Sequence, residues 1–255
     1  MSLEGRNAIV TGAARGIGFV TARALCEKGM AVAMNDIDPA EAERAAESLR
    51  AERYRAIAVP ADVTNSAEVA KMFAKTQAEL GALWLLVNNA GTFHAGATTD
   101  LTEEAWDKEF GVDAKAVFLC SQAALKTMIP QGGGRIIVVS SIAAHIVRTG
   151  QIAYCSAKAA ALHFSRCLAV EVAPLGITVN CLCPGMTDSE MLRQTAASRG
   201  ATIEDYLAMI PAGRLAAPEN HAAAIAWLAS DEAAHLTGQV ISVDGAQSLY
   251  HPVIR

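Results

Sequence analysis

A glycine-rich segment near the N-terminus constrains this chain more than any other feature. Thr11-Gly12-Ala13-Ala14-Arg15-Gly16-Ile17-Gly18 follows a short apolar run at 7–10 and precedes a helical pattern that extends to Lys28 and stops at Gly29. Glycines permit the tight turn and let a pyrophosphate approach the backbone, while the helix start offers unpaired N–H groups and the positive end of its dipole. Three residues separate the first two glycines and one separates the second from the third, unlike the commoner G-x-G-x-x-G pattern. A second apolar run at 31–35 leads to Asp36, 18 residues beyond Gly18, where an acceptor for a ribose diol is expected. A glycine-rich turn without a ligand is the simpler alternative, but it leaves the succession of strand, glycines, helix, strand and acid unexplained.

The alternation continues along the chain. Short apolar runs at 56–59, 84–87, 135–139, 177–181 and 239–243 bring the strands to seven, and their lack of polar alternation predicts burial on both faces. Helical patterns lie between them at 39–52, 66–80, 103–129, 152–173 and 219–230; Asp38 and Pro39 suit the start of the first, and Pro130 marks the end of the third. The predicted fold class is α/β, a single Rossmann-type domain over 1–255 with a doubly wound parallel seven-stranded sheet and helices on both faces. The stretch from about 186 to 215, interrupted by Gly200, Pro211 and Gly213, breaks the rhythm and is expected to form a lid over the substrate.

Composition excludes other classes. With 52% hydrophobic and 18% charged residues the chain is globular, and a net charge of −5 with scattered basic residues argues against nucleic acid as a partner. No apolar run is long enough to span a bilayer, and no signal peptide precedes the first strand, so a cytoplasmic protein without a membrane partner is expected. Six cysteines without a ligand-like cluster suggest reduced thiols and no metal site.

Candidate chemistry lies near the middle. Tyr154 and Lys158 are four residues apart at the start of an Ala-rich helical stretch, which places phenol and ammonium on one face. A nearby cation favours the phenolate, so Tyr154 is expected to be acidified enough to exchange a proton near neutral pH, with the Ser141 hydroxyl orienting a substrate oxygen. Alone, such a pair is more often plain helix surface. The glycine-rich segment gives it meaning.

Together these segments resemble the short-chain dehydrogenase/reductase family, classical type. The resemblance covers essentially the whole chain: Thr11 to Gly18, Asp62-Val63, Asn88-Asn89-Ala90-Gly91, Ser140-Ser141, Tyr154 to Lys158, Pro184-Gly185, and Leu236 to Gln239 running on to Val243-Asp244-Gly245. It implies an oxidoreductase that interconverts a secondary alcohol and a ketone by hydride transfer, with Tyr154 as general acid/base and Lys158 holding the nicotinamide ribose. By resemblance Gly12, Arg15, Gly16, Ile17 and Gly18 surround the pyrophosphate, and Asp62 and Val63 hold the adenine. Asn89, Ala90 and Gly91 line the path to the nicotinamide. Pro184, Gly185, Thr187 and Ser189 fix its carboxamide end, with hydroxyls where the family often has Val and Thr. Asp36 would repel a 2′-phosphate, so NAD is expected over NADP, although Arg15 favours the latter.

One position departs from the family. Its usual Asn, in a Val-Asn-x-Lys-Gly-Val-Phe context, is replaced by Asp113 within Val112-Asp113-Ala114-Lys115-Ala116-Val117-Phe118. An ionised Asp accepts but cannot donate. If the backbone carbonyl is what matters, Asp113 serves; if a donor is required, it must be protonated or rearranged.

The partner is expected to be a small-molecule alcohol or ketone, cyclic or sugar-like. Residues 141–148 and 184–191 resemble 2,3-dihydro-2,3-dihydroxybenzoate dehydrogenases, which implies that Arg148 meets a carboxylate. His94, His145, Gln151 and Met186 are further candidates for the substrate edge. Family resemblance also implies a homotetramer built on the helices at 103–129 and 152–173, with further contact near the last strand. Two alternatives stand beside this reading: a 3-oxoacyl-carrier-protein reductase, and a non-catalytic NAD-binding sensor motivated by Asp113.

Overall fold

The computed structural model describes residues 3–198 and 200–250. Its strands are β1 (Asn7–Val10), β2 (Ala31–Met34), β3 (Ala56–Ala58), β4 (Leu85–Asn88), β5 (Gly134–Val139), β6 (Ile177–Pro184) and β7 (Val240–Val243). They form one sheet in the order β3-β2-β1-β4-β5-β6-β7, with every pairing parallel. The helices are α1 (Gly16–Glu27), α2 (Pro39–Ala51), α3 (Ser66–Leu80), α4 (Glu103–Phe110), α5 (Ala116–Gln131), α6 (Ile152–Val172), α7 (Glu190–Ser198), α8 (Ile203–Leu207) and α9 (Pro218–Leu228).

The apolar runs are buried throughout β1, β2, β4, β5 and β6, because helices cover both faces. Alternate residues of each strand feed different cores. Ala8, Val10, Val32 and Met34 pack with Leu25, Leu49 and Ile225 of α1, α2 and α9. Ile9, Ala33, Ile136 and Val138 pack with Met72, Val117 and Leu168 of α3, α5 and α6. Each fully buried Leu or Ile contributes roughly 1.5–3 kcal/mol relative to exposure. Local signals agree with the packing: Asp38 caps α2 by accepting from Ala40 and Glu41 N–H groups at 2.9 and 3.2 Å, and Pro39 occupies its first turn.

Two boundaries differ from expectation. The helix expected at 103–129 is interrupted by one π-helical turn, Gly111–Lys115, closed by the Ala116 N–H on the Gly111 carbonyl. Pro130 does not end it. The proline sits in the final turn of α5, where its missing N–H forgoes only the one bond to the carbonyl four residues back, and the stop is Gly132 at φ 75°, with Gly133 N–H reaching back to the Met128 carbonyl. The stretch expected to be a lid contains α7 and α8, and Thr202 and Asp205 cap α8 reciprocally.

The order reverses at β1, whose neighbours are β2 and β4. Chain leaving β1 and β4 therefore diverges to opposite faces and opens a crevice at their carboxyl ends, where ligands of such sheets bind. Every candidate residue read from the sequence lies at the carboxyl end of a strand, in the loop that follows, or on a helix after that loop.

Candidate active site

At the β1/β4 crevice the site is made largely of backbone. Gly12 and Gly16 have φ of 60° and 58°, which side chains rarely tolerate. Gly18 answers to space: a Cβ there would lie 2.2 Å from the Gly12 carbonyl oxygen and 2.5 Å from Asn89 Nδ2. Asn89 donates its amide to the carbonyls of Thr11 and Gly12 at 2.9 and 3.0 Å. The Thr11 hydroxyl accepts the Asn89 and Ala90 N–H groups at 2.9 and 3.0 Å. Asn89 thus holds the glycine loop with its amide rather than offering it to a ligand. Arg15 precedes α1 with extended backbone and supplies no side-chain cap, so the first-turn N–H groups remain for an anion. The glycine cradle and this uncapped helix start fit a dinucleotide pyrophosphate, with Ile17 half-buried beside them.

Asp36 is half-buried just beyond β2, and its Oδ1 accepts the Asp38 N–H at 3.3 Å. Ile37 beside it is 69% exposed, an apolar surface available to a ribose or base. Asp62 is tied into its own turn by the Thr64 N–H and hydroxyl at 2.9 and 2.8 Å, and Val63 is buried. A cavity of about 580 Å³ is lined by Ile37, Asp62, Thr64, Phe110, Val112 and Lys115.

Pro184 ends β6, and Gly185 passes so close to Asp244 that a Cβ would lie 2.6 Å from its Cα. The Met186 N–H is held by buried Gln247 at 3.0 Å. The Thr187 hydroxyl lies 3.0 Å from the Gly185 carbonyl and 2.8 Å from Nε2 of buried His221, so it is committed within the protein. Ser189 accepts the Leu192 N–H at 3.2 Å and keeps its own hydrogen to donate. Burial lowers His221 to about 4, leaving the ring neutral at physiological pH.

The catalytic candidates converge beyond β5. Ser141 accepts the Ala143 N–H at 3.1 Å, which leaves its hydrogen to donate, and its hydroxyl favours the phenolate of Tyr154. Lys158 lies one turn along α6, with Nζ 5.7 Å from the centre of the Tyr154 ring. Asp113 comes from the π-helical turn: its Oδ1 is 2.8 Å from Lys158 Nζ, and its Oδ2 accepts the Thr92 N–H at 3.3 Å. The Asp113 side chain is fully buried and that of Lys158 is 6% exposed. Gly91 passes over this ion pair, where a Cβ would sit 2.8 Å from Oδ1 and 3.2 Å from Nζ. Asp113 therefore acts through its carboxylate as a counter-ion, a third outcome beside the backbone and donor roles considered for it.

The electrostatics correct one expectation. Tyr154 is shifted up from the ordinary tyrosine range, not acidified. Desolvation is the largest cause; Lys158 opposes it, and Asp113 works against Lys158. For Lys158, burial works against the charge, but Asp113 and Tyr154 outweigh it and hold the ammonium above its usual range.

Two residues enter the site that sequence reasoning missed. Phe93 packs edge-on against the Tyr154 ring with centroids 5.1 Å apart. Glu109 is 1% exposed, and burial followed by the Asp113 carboxylate pushes its carboxyl up to about 7. A signal for Glu109 existed: it precedes Asp113 by four residues, a like-charged spacing that is unfavourable on a solvated helix.

The candidate substrate residues are more dispersed. His94 and His145 are exposed, and His145 Nε2 lies 3.4 Å from Ser242 on β7. Arg148 and Met186 are half-buried, and Gln151 is buried just before α6. The loops carrying His94 and Arg148 meet where the Gly96 N–H donates to the Gly150 carbonyl at 3.0 Å. Among the described residues no group of three or more His, Cys, Asp or Glu could hold a metal, and no helix is long and apolar enough to cross a membrane.

Comparisons with known proteins converge on one family. A sequence-family model described as Enoyl-(Acyl carrier protein) reductase matches residues 12–246. The chain is 37% identical over 254 residues to 2,3-dihydro-2,3-dihydroxybenzoate dehydrogenase of Bacillus subtilis (strain 168), covering 97% of each chain. It is 40% identical over 241 residues to cis-4-hydroxycyclohexanecarboxylate dehydrogenase of Sinomonas cyclohexanicum, covering 94% of this chain and 95% of the relative. Among solved structures, gluconate 5-dehydrogenase from Burkholderia cenocepacia J2315, in complex with NADP and tartrate, superposes with a TM-score of 0.93 at 31% identity, covering 98% of both chains.

Proposed function

Since the chain belongs to the short-chain dehydrogenases/reductases, enzymes that act on alcohol and ketone groups, we propose that it oxidises a secondary alcohol on a carboxylate-bearing ring, using NAD. The observation that carries the reading is the convergence of Ser141, Tyr154 and Lys158 beside the glycine cradle.

Bound nicotinamide supplies the hydride acceptor in oxidation and the donor in reduction. The protein's own groups do the rest. Ser141 donates its free hydrogen toward the substrate oxygen, and Tyr154 takes the alcohol proton or returns it to a ketone. Lys158⁺ favours the phenolate during that transfer, but Asp113 at 2.8 Å offsets much of its field. A phenol raised above its ordinary range gives up its proton only in alkaline solution, so oxidation in the wild type rises with pH. Lys158, Gly91 and Ser189 would face the nicotinamide half of the cofactor, and the glycine loop its pyrophosphate.

Asp36 favours NAD because its carboxylate can accept from a ribose diol and would repel a 2′-phosphate. The substrate class rests on two relatives whose names describe ring alcohols or diols bearing a carboxylate, and on Arg148 six residues before Tyr154. A tetramer through α5 and α6 accords with Phe118 and Val170 on those helices, apolar side chains that are 44% and 79% exposed; a monomeric sedimentation profile would contradict it.

The test is NADH formation with hydroxycyclohexanecarboxylates, cyclohexanol and polyols. The carboxylates should be oxidised best, and Arg148→Met should raise KM for them about tenfold while leaving cyclohexanol unaffected. Faster reduction of 3-oxoacyl thioesters with NADPH would replace this reading by that of a carrier-protein reductase. Dinucleotide binding with no turnover of any alcohol or ketone would replace it by that of a sensor.

A further inference from the structure

Beside the ion pair lies an acid that the catalytic scheme does not use. Glu109, on the last turn of α4, is buried against the Asp113–Lys158 pair. As a carboxylate, Glu109 leaves both oxygens without a hydrogen bond, and Asp113, an acceptor already facing the Lys158 ammonium, cannot supply one. One proton repairs the arrangement. A neutral Glu109 donates its O–H to Asp113, which remains the anion paired with Lys158 at 2.8 Å.

The groups facing Glu109 are few. Asp113 comes from the following π-helical turn, Lys158 from α6, and the loop after β4 contributes the backbone of His94. Asp113 raises the proton affinity of Glu109, while Lys158 and the His94 backbone lower it. In return, charge on Glu109 raises the proton affinity of Tyr154.

We propose that Glu109 is a positioning residue that holds one proton jointly with Asp113, so that Lys158 and Tyr154 face one negative charge when the proton is present and two when it is lost. The proton stays on a carboxyl oxygen in the first state and passes to solvent on entering the second; no covalent bond to carbon changes. The functional half of this proposal rests on Tyr154 being the proton-transfer group, whereas the shared proton does not.

Infrared spectroscopy of the cofactor-free protein tests the shared proton directly. Wild type should show the C=O stretch of a protonated carboxylic acid at acidic pH, fading with a midpoint near pH 7, and Glu109→Gln should lack it. Asp113→Asn is a second arm. With the neighbouring charge gone, the band should fade at lower pH.

Kinetics test the coupling. Glu109→Gln keeps a donor toward Asp113 but cannot ionise, so its kcat for alcohol oxidation should exceed that of wild type by about tenfold at alkaline pH. KM should be unchanged. Glu109→Leu supplies no donor and should fail to reproduce the Gln profile. A spectrum unaltered by Glu109→Gln, or a midpoint unmoved by Asp113→Asn, overturns the shared proton. Superimposable pH profiles of wild type and Glu109→Gln overturn the coupling. A protein that turns over no alcohol defeats the dehydrogenase reading and the coupling with it, and the infrared arms still decide where the proton resides.

Discussion

The two ends of the crevice are built from different materials. At the pyrophosphate end, Gly12, Gly16 and Gly18 and the amide of Asn89 shape a loop whose useful groups are backbone N–H. At the catalytic end, a 2.8 Å ion pair, a buried Glu109 and an upshifted Tyr154 are packed within one cluster. The first end is defined by volume and the second by the number of protons it holds. A single methyl group should therefore disable one, whereas the other should tolerate an isosteric change and respond to pH.

The largest effect should come from volume. Gly18→Val places its Cβ within 2.2 Å of the Gly12 carbonyl oxygen, so the loop must move. The expected cost is about 3 kcal/mol or more in stability, with NAD binding weakened over a hundredfold. Thermal melts and fluorescence titration of NAD measure both, and wild-type values would break the contrast. Next comes the ribose edge. Asp36→Arg exchanges repulsion for attraction at a 2′-phosphate, and the ratio of kcat/KM for NADP over NAD should rise by about two orders of magnitude. An unchanged ratio would move cofactor choice elsewhere, Arg15 first.

Smallest, and confined to the catalytic end, is a stability effect of Glu109. Its carboxyl is raised from 4.5 to about 7 in the folded protein, so between those values the folded state binds the proton more tightly than the unfolded chain. Stability must then fall as pH rises through that window, because ionisation is easier in the unfolded state. Wild type should lose about 2 kcal/mol between pH 5 and pH 8 relative to Glu109→Gln, read from urea melts. Parallel curves would mean that Glu109 is ionised at neutral pH despite its burial.

This division also explains what could be read from the chain alone. Strand positions and the glycine loop were legible because their requirements are local: an apolar run such as 7–10 is buried wherever it goes, and Gly18 is needed by the loop that contains it. The trio of Ser141, Tyr154 and Lys158 was legible from spacing and family resemblance. The π-helical turn at Gly111–Lys115 was not, since a turn widened by one residue leaves little trace in composition. The burial of Glu109 left only one trace, its like-charged spacing to Asp113, because an acid within Glu103–Phe110 otherwise looks like solvated helix until α6 packs against it. The direction of the Tyr154 shift was missed because Lys158 four residues away is visible in sequence, whereas the burial that outweighs it, and then Asp113 from another helix, arise only on folding.

The central claim is that Tyr154 moves the proton while the glycine end independently holds the dinucleotide. Tyr154→Phe, assayed for NADH formation and for NAD binding on the same preparation, tests it most directly. Turnover should fall by about three orders of magnitude with the Kd for NAD within about threefold of wild type. Turnover within tenfold of wild type, at any pH, would contradict the account.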